Sequence, residues 1–426
     1  MADDDDERTP LLPYEWPGSY ALGDEEVAAV SEVLRARSLF RFYGHDLQHY
    51  ADRLEAAYRR RLGRRHCLAV NSGTSALAIA MGMLDVGPGD EVLVPGYLWV
   101  SCLAAVVRAG AIPRLVDIDD TFTMDPDDLE RKITARTKAV LVVHMSGATG
   151  HLDRIVAVAR ARGVPIVEDV AQANGGTFRG EPLGSFGDVA IFSFQYNKAI
   201  TAGEGGLVAC DDVALYRRAF ALHDLGYPRD EDGRLDTVDP SAQGWGMGAR
   251  MSEPTAAVLT VQETKLDALV DRMRARHARL AGGLAALPSA TLRATADAAG
   301  GNGSFVIVTW PDAAWCRDIV ALTRRAGVRP GPHGLNNVTF DSWGLHLYHH
   351  NVGLVAKRGT NTRGYPWTDP ANAFASDYAY GPGSLARADD LFARSSLLAV
   401  PPSLTEDQAD TVVEAFAQAA RSLGSA

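Results

Sequence analysis

Seven short apolar runs separated by helical stretches constrain this chain more than any other feature. The strand-like runs are residues 66–71, 91–95, 113–117, 139–144, 165–169, 189–194 and 206–209, and the helical stretches between them include 74–84, 99–109, 126–133 and 152–162. Strands buried on both faces read as continuous apolar runs, and strands that alternate with helices build a mostly parallel sheet covered on both sides. Pro88-Gly89-Asp90 and Arg162-Gly163 supply turns between helix and strand. The expectation is an α/β fold with a mostly parallel seven-stranded sheet.

The rest of the chain arranges itself around that block. Residues 1–18 open with Met1-Ala2-Asp3-Asp4-Asp5-Asp6-Glu7 and are expected to form a disordered acidic tail. Residues 19–276 form the expected large domain, entered through helices at 27–35 and 47–61 and closed by a long helix from Glu253. Residues 277–426 form a smaller C-terminal α+β domain, with a strand at 305–309 and a capping box in Ser403-Leu404-Thr405-Glu406 before a last helix. Within it, residues 331–383 are rich in Asn, His, Tyr, Trp and Gly. They are too long for a plain connection and read as a functional loop insertion.

Chemistry gathers at the strand ends. Lys198 follows the run at 189–194 through Gln195-Tyr196-Asn197, and Gly203-Glu204-Gly205-Gly206 comes soon after. The carboxyl end of a parallel sheet is where α/β folds build sites. Most of the 42 basic residues are arginine, so a lysine inside a motif stands out from a solvated loop lysine. Asp169 closes Pro165-Ile166-Val167-Glu168-Asp169, and Gln172 stands three residues on. A buried aspartate needs a cationic or donor partner; the plainer reading is a helix-capping carboxylate. Asn71-Ser72-Gly73-Thr74-Ser75-Ala76 opens a helix whose free N–H groups favour a phosphate, with the Thr74 and Ser75 hydroxyls as donors. Alone this signal is weak, since Ser and Thr begin many helices. Ser193 is a further donor, and Trp99 offers an indole for stacking on a flat ring or, more plainly, for the core.

A lysine amine, a strand-end carboxylate and a small-residue helix start are the requirements of pyridoxal phosphate (PLP). The neutral amine of Lys198 would form a Schiff base with the cofactor aldehyde, and Asp169 would hold a proton on the pyridine nitrogen. Gln172 would reach the ring oxygen or else satisfy backbone. Gly203-Glu204-Gly205-Gly206 leads into a strand, which suits a tight turn and not a dinucleotide fingerprint.

Composition excludes other classes. A net charge of −11 argues against nucleic acid as a partner. Four scattered cysteines without a CxxC pair point to no zinc site or disulfide framework. His346, His349 and His350 lack Cys or carboxylate at ligand spacing, so no metal is expected, and these histidines read as substrate or solvent contacts. The acidic start is the reverse of a secretory signal and no run approaches a membrane span, so a cytoplasmic protein off the membrane is expected.

Four elements in order carry a resemblance: Ser72-Gly73-Thr74-Ser75-Ala76-Leu77, Gly87-Pro88-Gly89-Asp90-Glu91-Val92, Glu168-Asp169-Val170-Ala171-Gln172-Ala173, and Phe192-Ser193-Phe194 through Lys198 to Gly206. From about residue 43 to 276 the chain resembles the DegT/StrS-type sugar aminotransferases, of the type I (aspartate aminotransferase) PLP fold. Gln195-Tyr196-Asn197-Lys198 and His223-Asp224-Leu225-Gly226-Tyr227 look most like the 8-amino-octulosonate transaminase branch, and some scyllo-inosose-type cyclitol enzymes share a glutamine near the lysine. The resemblance implies a homodimer with shared active sites. It implies an amino donor, glutamate or glutamine, and a keto- or aldehydo-sugar or cyclitol acceptor, in amino-sugar or antibiotic biosynthesis. It assigns Lys198 the Schiff base, Asp169 the ring nitrogen, Gln172 the ring oxygen, Trp99 the stacking, and Thr74, Ser75 and Ser193 the phosphate. Arg41 and Tyr43 are candidate substrate contacts. Two departures stand out: Gly248 replaces an Asn that in relatives reaches the neighbouring subunit's phosphate, and the 331–383 insertion suggests an unusual acceptor. A related dehydratase group has histidine in place of the lysine, so Lys198 argues against that chemistry. Two alternatives stay open on sequence: a PLP enzyme of this fold with other chemistry, and a PLP-binding protein without turnover.

Overall fold

A computed structural model describes residues 16–230, 232–238, 244–329 and 337–424. The acidic stretch up to residue 15 and the start of the insertion, 331–336, lie outside the described residues. In chain order the first elements are α1 (Pro17–Tyr20), α2 (Asp24–Ala36), α3 (Tyr50–Leu62), β1 (His66–Val70), α4 (Gly73–Met83), β2 (Glu91–Pro95), α5 (Val100–Ala109), β3 (Ile112–Val116), α6 (Pro126–Lys132), β4 (Thr137–Val143), α7 (Leu152–Ala161) and β5 (Ile166–Asp169). A two-stranded ribbon, β6 (Thr177–Phe178) and β7 (Glu181–Pro182), precedes β8 (Val189–Ser193), β9 (Gly206–Cys210) and α8 (Val213–His223). Then follow α9 (Glu253–Ala285), β10 (Thr291–Leu292), β11 (Phe305–Thr309), α10 (Ala313–Arg325), β12 (Asn337–Thr339), α11 (Val352–Val355), α12 (Ala386–Arg394), β13 (Ser395–Ala399) and α13 (Glu406–Gly424).

The large sheet has seven strands in the order β1-β9-β8-β5-β4-β2-β3. Every neighbouring pair is parallel except those made by β9, which is antiparallel to both β1 and β8. The expected mostly parallel seven-stranded sheet is therefore present. Its inner strands are apolar and buried along all or most of their length, because helices cover both faces. β1, β2, β5 and β8 all end at one edge, and that edge carries the site. A second, antiparallel sheet (β10-β11-β13-β12) packs with α10 and α13 around Trp310, Ile319 and Phe416.

The 33-residue α9 runs through residue 276 and joins the two cores, giving Leu259, Leu266 and Met273 to one and Leu280 and Leu284 to the other. Part of the insertion packs beside β2 and β3. Tyr380 Oη donates to the Pro113 carbonyl at 2.7 Å, Tyr378 Oη to Glu91 at 2.6 Å, and Asn372 Nδ2 to the Gly110 carbonyl at 2.9 Å. The first bond reaches edge strand β3 itself, and the other two anchor the segment to β2 and to the turn before β3. Among the described residues no helix is long and apolar enough to cross a membrane.

Candidate active site

A cavity of about 620 Å³ opens at the carboxyl edge of the large sheet and is closed from above by Ser304, Phe305, Ala399 and Val400 around the small sheet. Lys198, Asp169, Gln172, Ser193, Thr74 and Trp99 all line it. Residues as far apart in sequence as 74 and 198 meet there because β1, β2, β5 and β8 run in one direction and end together.

Asp169 ends β5 with its side chain buried. Its Oδ1 accepts from the Ala171 N–H at 2.9 Å, and its Oδ2 accepts from the Cys102 thiol at 3.1 Å. Burial raises its pKa, and those donors and the Lys198 charge only partly oppose the rise. The Lys198 amine is the converse case. Burial lowers its pKa against the pull of Asp169 and Cys102, which favours the neutral, nucleophilic form.

Ser72 caps α4, its Oγ accepting from the Ser75 N–H at 3.0 Å. This leaves the first N–H groups of the helix directed toward the cavity edge. Gly73 permits a very close approach: a Cβ there would stand 2.6 Å from the Ser193 Cβ. The helix start and Ser193 thus form one small concave surface, with the Thr74 hydroxyl 2.9 Å from Ser101 at its rim. Ser75 does not join it. Its hydroxyl donates to Asn71 Oδ1 at 2.7 Å and does not line the cavity.

Gln172 Oε1 accepts from the Ser146 N–H at 2.9 Å, which leaves its amide N–H groups as the available donors. Trp99 is 40% exposed and presents its indole at the mouth. Arg41 lies elsewhere: it is buried, 2.7 Å from Glu55 and 3.0 Å from Asp52, so the acidic side chains of α3 consume its charge. Tyr43 is exposed, packs against Phe40 and does not line the cavity. Neither lines this cavity.

The N-terminal side also differs from the expected tail. Trp16 and Pro17 line the cavity, and the Gly18 N–H donates to the Lys198 carbonyl at 3.0 Å, so residues 16–18 are an ordered part of the wall. Sequence gave no sign of this, nor of Cys102, whose contact with Asp169 crosses 67 positions. Trp343 and His346 lie in the insertion already marked by its aromatic content, and both line the cavity. Among the described residues no group of three or more His, Cys, Asp or Glu is placed to hold a metal.

The donor set fits pyridoxal phosphate. The concave surface that a Cβ at Gly73 would fill offers N–H and hydroxyl groups for a phosphate. The buried Asp169 carboxylate, held by one amide and one thiol, suits a ring N–H. Lys198 shares the cavity with both.

Residues 21–336 match the DegT/DnrJ/EryC1/StrS aminotransferase family. The chain is 37% identical over 291 residues to the L-glutamine:2-deoxy-scyllo-inosose aminotransferase of Micromonospora echinospora, covering 66% of this chain and 68% of that protein. It is 37% identical over 281 residues to the L-glutamine:scyllo-inosose aminotransferase of Streptomyces griseus, covering 63% of each. Among solved structures, the crystal structure of 3-amino-5-hydroxybenzoic acid synthase superposes with a TM-score of 0.78 at 25% identity, covering 98% of this chain and 100% of that one.

Proposed function

This chain belongs to the DegT/DnrJ/EryC1/StrS aminotransferase family, and from that premise we propose that it moves the amino group of glutamine to the ketone of a scyllo-inosose-like cyclitol, in the assembly of an aminocyclitol antibiotic. The enzyme is a PLP-dependent aminotransferase with the type I fold. The observation that carries the reading is that Lys198 and Asp169, with pKa values pushed toward each other, share one cavity with the Gly73–Ser193 cradle. The acceptor rests on the two inosose enzymes, whose matched stretches are 68% and 63% of their length. It also rests on a wall that pairs indole faces with the Gln195 amide and the Ser304 hydroxyl, groups that suit a hydroxylated ring, while Asn302 holds Ser304 in place through its Oδ1.

Bound pyridoxal phosphate would supply an electrophilic carbon and a protonated ring that draws electrons from the substrate carbon next to nitrogen. The chain supplies the rest. Gly73, Thr74 and Ser193 would hold the phosphate, Asp169 would hold the ring proton, and the Gln172 amide would orient the ring oxygen. Lys198 Nζ, its pKa lowered by burial, would move the proton from the donor's carbon to the cofactor's carbon in the first half-reaction and from there to the acceptor's carbon in the second. Trp16, Phe305 and Val400 keep water from that transfer.

A cytoplasmic homodimer is part of the same proposal. Trp245 is 95% exposed and Met247, Leu225 and Tyr43 are also exposed on neighbouring loops, an apolar surface suited to a second copy. Glutamine added to the PLP-loaded enzyme should bleach its visible band and yield the amine form of the cofactor. Lys198→Ala should lose at least about 10³-fold in transfer rate while keeping a native circular dichroism spectrum. A PLP-loaded wild type that no amino donor bleaches would defeat the reading.

A further inference from the structure

The C-terminal segment brings to the cavity a group that the proton transfers above do not use. Residues 346–348 run against the loop before α5. The Leu98 N–H donates to the His346 carbonyl at 3.0 Å, and the Tyr348 N–H donates to the Gly96 carbonyl at 3.0 Å. Trp99 follows directly on that loop. The imidazole of His346 lies between two indoles, 4.8 Å from Trp99 and 4.4 Å from Trp343, almost parallel to the latter at 16°. Its place is therefore fixed by backbone and by rings.

Its tautomer is fixed as well. His346 Nδ1 lies 2.7 Å from the Trp343 carbonyl, which can only accept, so Nδ1 carries the proton. Nε2 then presents a lone pair. Among the described residues Nε2 has no hydrogen-bond partner, and protein does not bury it. Burial, with a contribution from the Lys198 charge, lowers the imidazole pKa to about 4, so the ring is neutral at physiological pH.

We propose that His346 is a specificity residue for the amino acceptor, its Nε2 receiving a hydrogen bond from one ring hydroxyl of a polyhydroxylated cyclic ketone. This rests on the transfer of an amino group to such a ketone. A neutral lone pair favours an O–H donor and disfavours a carboxylate, which can only accept. A ketone without that hydroxyl leaves the lone pair without a partner in a half-buried place, which is how polar sites reject deoxy analogues.

The test uses PLP-loaded wild type, His346→Ala and His346→Gln. Each half-reaction is followed separately, with glutamine as donor and with scyllo-inosose and its single-deoxy analogues as acceptors. His346→Ala should lower the acceptor's kcat/KM about 10-fold more than the donor's and remove discrimination against one deoxy position. The His346→Gln carbonyl should restore part of both, and the visible spectrum of the bound cofactor should keep its wild-type maximum. Equal losses in both half-reactions with a shifted spectrum would reduce His346 to a prop for Trp99 and overturn the proposal, as would unchanged acceptor discrimination. A wild type that accepts glutamine but aminates none of the inososes would overturn the cyclitol reading and this proposal together. Activity on inososes with an indifferent His346→Ala would overturn this proposal alone.

Discussion

Glu168 and Asp169 are neighbours on one strand, both buried, and the two faces of the sheet treat them in opposite ways. Glu168 points to the face away from the cavity. It accepts three backbone N–H groups, from Gly184 (2.9 Å), Phe186 (2.7 Å) and Gly187 (2.6 Å), and its Oε2 meets His144 Nε2 at 3.1 Å. Asp169 points into the cavity with one amide and one thiol. Burial alone would raise both pKa values. Glu168 ends below its ordinary value because the imidazole and the amides outweigh burial, whereas Asp169 ends above its own because too few donors face it. A carboxylate supplied with every partner by its own chain serves the fold. One left short of donors at the mouth of a cavity waits for a ligand to supply them, and the fold bears that cost elsewhere.

The strongest way to break this contrast is Glu168→Gln. It leaves three amides and His144 sharing one carbonyl, and it should cost about 3–5 kcal/mol of stability. Urea midpoints would show it, and the surviving folded fraction should keep transfer activity within a few-fold. Asp169→Asn should do the reverse. Transfer should fall by about 100-fold, because an amide does not hold the ring proton, while the cofactor-free protein should be no less stable than wild type at pH 7. A loss of stability in Asp169→Asn as large as that in Glu168→Gln would erase the distinction.

Acid sharpens the same point through opposite signs. Glu168, with its pKa depressed below 4.5, contributes stability that is present above pH 4.5 and is lost as pH falls through its folded value. Asp169, with its pKa raised above 3.8, costs stability as pH rises from about 3.8 through its folded value. Cofactor-free Glu168→Gln should therefore decline less steeply than wild type below pH 4.5, where Glu26, Asp128 and Asp224 still contribute, and Asp169→Asn should gain relative to wild type as pH rises. Midpoints measured from pH 3 to pH 7 would check both slopes. The smallest effect belongs to Cys102, which donates to Asp169. Cys102→Ala should change the rate by about three-fold and move the pH at which the cofactor's visible band titrates, and Cys102→Ser should restore that pH.

The strand block was legible because Val- and Ile-rich runs ended by turns leave little choice of period; each of the seven strands begins and ends within two residues of its expectation, as β4 does at Thr137–Val143. Lys198, Asp169 and Gln172 were legible for the same reason, since the end of a parallel strand fixes which edge a residue occupies. What sequence could not give was the direction of individual side chains. Ser75 turns back to Asn71 because Ser72 takes the cap. Arg41 meets Glu55 and Asp52 one element later, a pairing that leaves no periodic trace. The insertion read as a single functional loop divides in two: Trp343 and His346 line the cavity, while Asn372, Tyr378 and Tyr380 anchor the segment to β2, β3 and the turn between α5 and β3. Both halves are rich in aromatic and amide groups, so composition could not separate them.

Helix α9 has a thermal consequence. One rod about 50 Å long belongs to both cores, and neither piece, cut free at residue 276, would retain a whole helix to fold upon. Heating should therefore melt the monomer in a single cooperative endotherm, and the two fragments, expressed apart, should assemble only when mixed.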